Sequence, residues 1–61
     1  MKEPPVTDAD RCMDIRCRCK RGEYISPLSL AYCEEMLKAY PEWYSATQHD
    51  VIERTKPFGA Q

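Results

Sequence analysis

Residues 26–41, SPLSLAYCEEMLKAYP, contain the clearest helical signal in the chain. Ser26 can cap a helix through its side-chain oxygen, and Pro27 suits the first helical position because its missing N–H has no partner there. Five apolar residues of the stretch fall within a sector of about 120° on a helix: Leu30, Cys33, Met36, Leu37 and Tyr40. Pro41 disfavours helical backbone at residue 40. The stretch therefore predicts an amphipathic helix over residues 27–39.

Two further helices are predicted, one on each side of this stretch. Residues 7–10, TDAD, have the spacing of a capping box with Thr7 as N-cap, and Gly22 can end a helix, which predicts a first helix over residues 8–21. After Pro41, four residues share one helical face and predict a third helix over residues 41–55: Trp43, Tyr44, Thr47 and Val51. No alternating strand pattern and no short hairpin turn occurs in the sequence.

The fold class that follows is all-α, a small helical hairpin or three-helix arrangement in one domain over residues 1–61. We expect residues 1–6 to be extended or flexible and residues 56–61 to form an irregular tail, whose Phe58 could pack back onto the helices. A chain of 61 residues buries only about 60% of the surface that its unfolded form exposes. Small domains of this kind therefore depend on well-packed helices, a metal, disulfides or a partner.

Composition limits the partners and the location of the chain. The net charge is −1, which argues against a protein that coats nucleic acid or an anionic membrane. No apolar run approaches the roughly 20 residues of a membrane span, and the first residues contain no hydrophobic signal segment. We expect a cytoplasmic protein without membrane association, whose thiols stay reduced.

The four cysteines follow the spacing C-x4-C-x-C-x13-C and allow several interpretations. A structural zinc site is one alternative, with the thiolates of all four as ligands: Cys12, Cys17, Cys19 and Cys33. A continuous first helix opposes it, because Cys17 and Cys19 would then point about 200° apart. The usual pair of C-x2-C knuckles is also absent from the sequence.

The leading interpretation of the cysteines is core packing without a cofactor. On a continuous helix, Cys12, Ile15 and Cys19 form an apolar stripe that could face Cys33, Leu37 and Tyr40 of the second helix, while Cys17 is left over on the Met13 side. A disulfide from Cys33 to Cys12 or Cys19 is a further alternative, and so is a reactive thiol activated by neighbouring basic residues.

Five basic residues lie between positions 11 and 21 and define a nucleic-acid-binding alternative: Arg11, Arg16, Arg18, Lys20 and Arg21. They are spread around the predicted helix, whereas a recognition helix presents them on one face. The later helices carry Glu34, Glu35 and Glu53, which would repel phosphates. We therefore expect nucleic-acid binding to be a minor alternative.

The sequence does not predict an enzyme. The single histidine, His49, is next to Asp50, but neighbours on a helix point about 100° apart and do not form an acid–base pair. The chain has only two glycines and no glycine-rich phosphate loop. A helical chain of this length rarely encloses a substrate pocket.

Aromatic residues give the leading functional prediction. Trp and Tyr are enriched at binding hot spots, and so small a chain cannot bury all of its rings. The predicted protein interface consists of Tyr32, Trp43, Tyr44 and Ile52. The sequence thus predicts a small adaptor, inhibitor or regulator that binds another protein or forms a homodimer through an aromatic helical surface.

Overall fold

The computed structural model describes residues 1–55, and every regular element in that range is an α-helix. The helices are α1 (Val6–Lys20), α2 (Pro27–Ala39), α3 (Pro41–Ala46) and α4 (Gln48–Arg54). The all-α prediction is confirmed, and α2 has the predicted bounds. The predicted tail over residues 56–61 and the packing of Phe58 lie outside the described residues. No helix among residues 1–55 combines the length and the apolar character that crossing a membrane requires.

α1 is the central helix of the fold. It packs against α2 on one side and against α4 on another, and α3 connects α2 with α4. The buried residues of α1 span an arc of about 200° at 100° per residue: Cys12, Met13, Ile15, Arg16 and Cys17. This arc is about twice the stripe of a helix that is covered on one side only, because two helices pack on α1.

The helix starts agree only partly with the capping signals. The Ser26 hydroxyl accepts a hydrogen bond from the Ser29 amide at 3.3 Å, as predicted for the start of α2. The predicted Thr7 cap is wrong, because α1 already begins at Val6 and has no side-chain cap. Its N-cap is Pro5, whose carbonyl accepts the Ala9 amide at 2.9 Å. A residue in this position needs no N–H, which makes proline compatible with it.

α1 ends at Lys20, one residue before the predicted limit, and Gly22 follows as the stop that the sequence predicted. Gly22 has a φ of +83°, a backbone conformation that other residues rarely adopt. Its amide donates to the Cys19 carbonyl at 3.0 Å, and the Glu23 amide donates to the Arg18 carbonyl at 3.1 Å. These two bonds form a Schellman motif, which satisfies the last carbonyls of the helix and turns the chain toward α2.

Replacing Gly22 with alanine is expected to lower the free energy of unfolding by about 1 kcal/mol. A Cβ at this position would meet no atom within 4 Å, so the loss comes from the positive φ alone. Thermal unfolding followed by circular dichroism should show a Tm lower by roughly 4–8 °C. Gly22→Asn is the matched control, since asparagine tolerates a positive φ better and should lose less. An unchanged Tm for the alanine variant would contradict this account of the turn.

The predicted third helix is interrupted at Thr47 and forms α3 and α4 instead. Thr47 has φ −90° and ψ 2°, and its hydroxyl lies 3.0 Å from the Trp43 carbonyl and 3.2 Å from the Tyr44 carbonyl. A threonine hydroxyl that donates back to the preceding turn competes with the helical backbone and bends the chain. The bend brings α4 onto α1 while α3 stays on α2.

The core is a single cluster of eight buried apolar side chains from all four helices: Cys12, Met13, Ile15, Cys17, Cys33, Met36, Trp43 and Val51. Two assignments of the sequence are wrong here, since Cys17 is buried and Cys19 is exposed. Cys19 faces the predicted direction, but it lies in the last turn of α1, where packing does not cover it. Leu37 of α2 is likewise 44% exposed.

Candidate functional site

A groove lies between α2 and α4, above α1. The two helices each pack on α1, and no Cα atom of α2 lies within 8 Å of a Cα atom of α4, which leaves a space of about 500 Å³ that is open to solvent. α1 contributes Ile15, Arg16, Cys19 and Lys20 to its walls, and the other helices contribute the remaining residues: Leu30, Cys33, Tyr44, Gln48 and Val51. We call this feature the α2/α4 groove.

The floor of the α2/α4 groove is apolar and belongs to the core. Ile15, Cys33 and Val51 are all buried, and they are supplied by three different helices. Leu30 stands at the edge with 44% of its surface exposed. Leu37 lies two turns later on α2, and the helical repeat places it on the same face of the helix as Leu30. An apolar occupant could therefore extend the core outward along α2.

Arg16 is the charged residue that lines the groove from within the core. It is only 8% exposed, although arginine is rarely buried to this degree. Nη1 donates to the Thr47 hydroxyl at 2.6 Å and Nη2 donates to the Tyr44 carbonyl at 3.2 Å. The guanidinium thus connects α1 to the point where α3 and α4 meet.

Two aromatic rings complete the surroundings of Arg16. Its Cζ lies 3.9 Å from the centre of the Tyr44 ring and 5.9 Å from that of Trp43. The two rings meet edge to face, with centres 6.3 Å apart. A guanidinium over the face of an aromatic ring is attracted by the negative ring quadrupole. Burial raises the pKa of the Tyr44 phenol, and the Arg16 charge opposes part of that increase.

The charge of the groove is positive. Arg16 and Lys20 are its charged lining residues, and no carboxylate lines it within residues 1–55. Within residues 1–55, the Arg16 guanidinium donates its hydrogen bonds to two uncharged oxygens, the Thr47 hydroxyl and the Tyr44 carbonyl. Both cations would attract a carboxylate that enters the groove.

The residues predicted as the protein interface are in different environments. Trp43 is 6% exposed and belongs to the core, so that it is not available as an anchor on the surface. Tyr44 is half-buried and lines the groove. Ile52 is 43% exposed on α4. Tyr32 is also half-buried, and its hydroxyl lies 3.1 Å from the Asp8 carbonyl and 3.2 Å from the Asp8 carboxylate.

The five basic residues of the nucleic-acid alternative do not form one surface. Arg16 is buried. Arg18 pairs with Asp14 at 3.2 Å and Arg21 with Glu23 at 2.7 Å, both on the surface. Arg11 lies over the Tyr32 ring, 6.0 Å from its centre, while Lys20 lines the groove. These separate local partners are typical of side chains that serve the fold, and they leave no continuous basic face on α1.

The four thiols of the zinc alternative do not converge. α1 is helical through Cys17 and Cys19, which places Cys17 in the core and Cys19 at the surface. Only Cys12 and Cys33 meet, with sulfur atoms 3.9 Å apart. Within residues 1–55, no group of three or more His, Cys, Asp or Glu side chains has an arrangement that could hold a metal ion. The cysteines therefore do not fit a tetrahedral zinc site.

The two cysteines that meet are held as neutral thiols. Burial raises the pKa of Cys33 to about 12, and the neighbouring Cys12 contributes to that increase. Burial also raises the pKa of Cys12, while its hydrogen bond to Cys33 and the Arg16 charge oppose the shift. All four cysteines are free.

Comparisons of the chain with protein-family models, with curated proteins and with solved structures found no match.

The α2/α4 groove and the role of Arg16 were not predicted from the sequence. Arg16 is one of five basic residues within eleven positions, and composition does not distinguish it from its neighbours. One signal was available, because on α1 Arg16 lies about 40° from Cys12 and so borders the apolar stripe. A charged residue at a core position is the kind of local inconsistency that often marks a site or a structural anchor.

Proposed function

We propose that this chain is a non-enzymatic binding protein, an adaptor, inhibitor or regulator, that receives a helical segment of another protein in the α2/α4 groove. The observation that supports this most directly is the open space between α2 and α4, which is lined at its floor by the core side chains Ile15, Cys33 and Val51 and is bordered by Leu30, an apolar residue that is 44% exposed. Amphipathic helices bind other proteins by placing their apolar face in a groove of this type.

The chemistry of the groove restricts the partner. Its apolar floor requires aliphatic or aromatic side chains at helical spacing, and Arg16 with Lys20 requires carboxylates beside them. The partner is therefore an acidic amphipathic helix. A small molecule is a weaker candidate, because ligand pockets enclose most of the ligand surface whereas this groove is open along one side. We place this interaction in the cytoplasm, where free thiols such as these four stay reduced.

Replacing Leu30 with glutamate is expected to weaken binding of such a helix by roughly tenfold or more. The new charge stands at the apolar edge of the groove, where it opposes both the apolar contacts and the carboxylates of the partner. Leu28→Glu is the matched control, because Leu28 is on the same helix, is 85% exposed and does not line the groove. It should bind within about twofold of the original chain.

The measurement begins with a display library of short helical peptides selected against the original chain. We expect enrichment of amphipathic sequences that carry glutamate or aspartate beside the apolar face. Calorimetric titration of the purified peptides then compares the two leucine variants. No enrichment, enrichment of basic peptides, or equal binding by the Leu30 variant would refute the proposal. Native mass spectrometry tests a second copy as the occupant: a dimer that Leu30→Glu dissociates would replace the proposed partner with a homodimer.

A further inference from the structure

One pair of cysteines is placed for a reaction that the binding proposal does not involve. Cys12 of α1 and Cys33 of α2 are 0% and 8% exposed, and their sulfur atoms are 3.9 Å apart. At this distance the two thiols are in direct contact through a long S–H···S hydrogen bond. A disulfide has an S–S length of about 2.05 Å, so the two sulfurs need to approach by roughly 2 Å. Rotation of the two side chains about χ1, with any backbone adjustment that the bond requires, has to supply this movement.

The α2/α4 groove supplies a route from solvent to this pair. Cys33 lines the groove floor, and Cys12 lies behind it in the core. Cys17 is buried and does not line the groove, whereas Cys19 lines the groove and is exposed. A small reagent that enters the groove therefore meets Cys33 or Cys19, and only Cys33 has a second thiol in contact.

We propose that Cys12 and Cys33 form a reversible thiol–disulfide site that reacts with small organic disulfides of the glutathione type. The Cys33 thiolate attacks one sulfur of the reagent, whose S–S bond breaks and whose first thiolate leaves and takes up a proton. The Cys12 thiolate then attacks the Cys33 sulfur and releases the second thiol. Two cysteine thiols are oxidised to one disulfide, and one reagent disulfide is reduced to two thiols. The product joins α1 to α2 covalently.

The rate of this reaction should depend strongly on pH. Only the thiolate reacts, and burial raises the pKa of Cys33 to about 12. The thiolate fraction therefore rises about tenfold for each pH unit between pH 7 and 9, and the rate of disulfide formation should rise with it. The reaction is expected to be slow at neutral pH, which distinguishes this pair from an activated surface cysteine.

Peptide mapping of the folded chain tests the site without any substitution. Trypsin cuts after lysine and arginine, and it therefore places each of the four cysteines on a different peptide. These peptides are residues 12–16, 17–18, 19–20 and 22–38. The chain is incubated with mixtures of oxidised and reduced glutathione, alkylated and digested. We expect the peptide of residues 12–16 to be joined to that of residues 22–38. Reduction should reverse the link, and the linked chain should have a Tm higher by on the order of 10 °C.

Single variants identify the thiols that are required. Cys33→Ala and Cys12→Ala should abolish the intramolecular link, whereas Cys19→Ala should form it to the same extent as the original chain. A link between Cys19 and Cys33, glutathione attached only to Cys19, or oxidation seen only after unfolding in urea would overturn the proposal. The mapping of the unsubstituted chain decides these outcomes even where an alanine variant fails to fold.

Discussion

Replacing Arg16 with alanine is expected to lower the free energy of unfolding by about 3 kcal/mol. The change removes the hydrogen bonds to the Thr47 hydroxyl and the Tyr44 carbonyl, and it removes the stacking on the Tyr44 ring. It also leaves a space in the core beside Trp43. A chain of 61 residues has a total stability of about 3–9 kcal/mol, so the loss is a large part of the whole.

Urea unfolding followed by circular dichroism measures this effect. Arg18→Ala is the matched control, because Arg18 is on the same helix and its pair with Asp14 is largely exposed, with an expected loss of no more than about 0.5 kcal/mol. Arg16→Lys should be intermediate, since lysine keeps the charge but lacks the planar group that donates to two acceptors and stacks. Equal stability of the Arg16 and Arg18 alanine variants would contradict the role assigned to Arg16.

Replacing Trp43 with alanine is expected to have the largest effect, a loss of about 3–5 kcal/mol that leaves much of the chain unfolded. The indole is 6% exposed and fills the junction between α3 and the rest of the core. Arg16 and Tyr44 would both lose a neighbour, with the Tyr44 ring currently in edge-to-face contact. Far-UV circular dichroism should show a clear loss of helix at ambient temperature.

Two comparisons make the Trp43 experiment specific. Trp43→Phe keeps an aromatic ring in the core and should retain much of the stability. Ile52→Ala removes an apolar side chain that is 43% exposed on α4 and should cost about 1 kcal/mol or less. If the Trp43→Ala chain stays folded and loses only its binding of the partner, the result would support the interface role that the sequence predicted for Trp43. We expect instead that any lost binding follows from lost structure.

Local signals were sufficient where a helix begins or ends at residues with special backbone chemistry. Ser26, Pro27 and Pro41 act through their own atoms and nearest neighbours, and α2 accordingly runs between the predicted limits. Gly22 ends α1 as predicted for the same reason. The Thr7 signal was misleading because a competing start at Pro5, two residues earlier, adds backbone hydrogen bonds to the helix.

Faces were predicted less well than helices. Periodicity located one apolar stripe on α1, but α1 is covered by two helices and buries Cys17 outside that stripe. The same periodicity assigned Cys19 to the core, where the end of the helix lacks a covering element. How wide a buried face is, and where along a helix it stops, depends on the neighbours that pack against it. A single helical pattern contains no information about those neighbours.

The all-α class, the limits of α2 and the turn at Gly22 follow from short-range chemistry, since capping, proline and a positive φ act within a few residues. The anchoring of Arg16 in the core and the contact of Cys12 with Cys33 depend on residues 21 or more positions apart. The α2/α4 groove belongs to this second group, because it forms where two helices pack on α1 while their backbones stay apart. Such features arise from how complete helices pack, and packing is a property of pairs of surfaces that no single stretch of sequence contains.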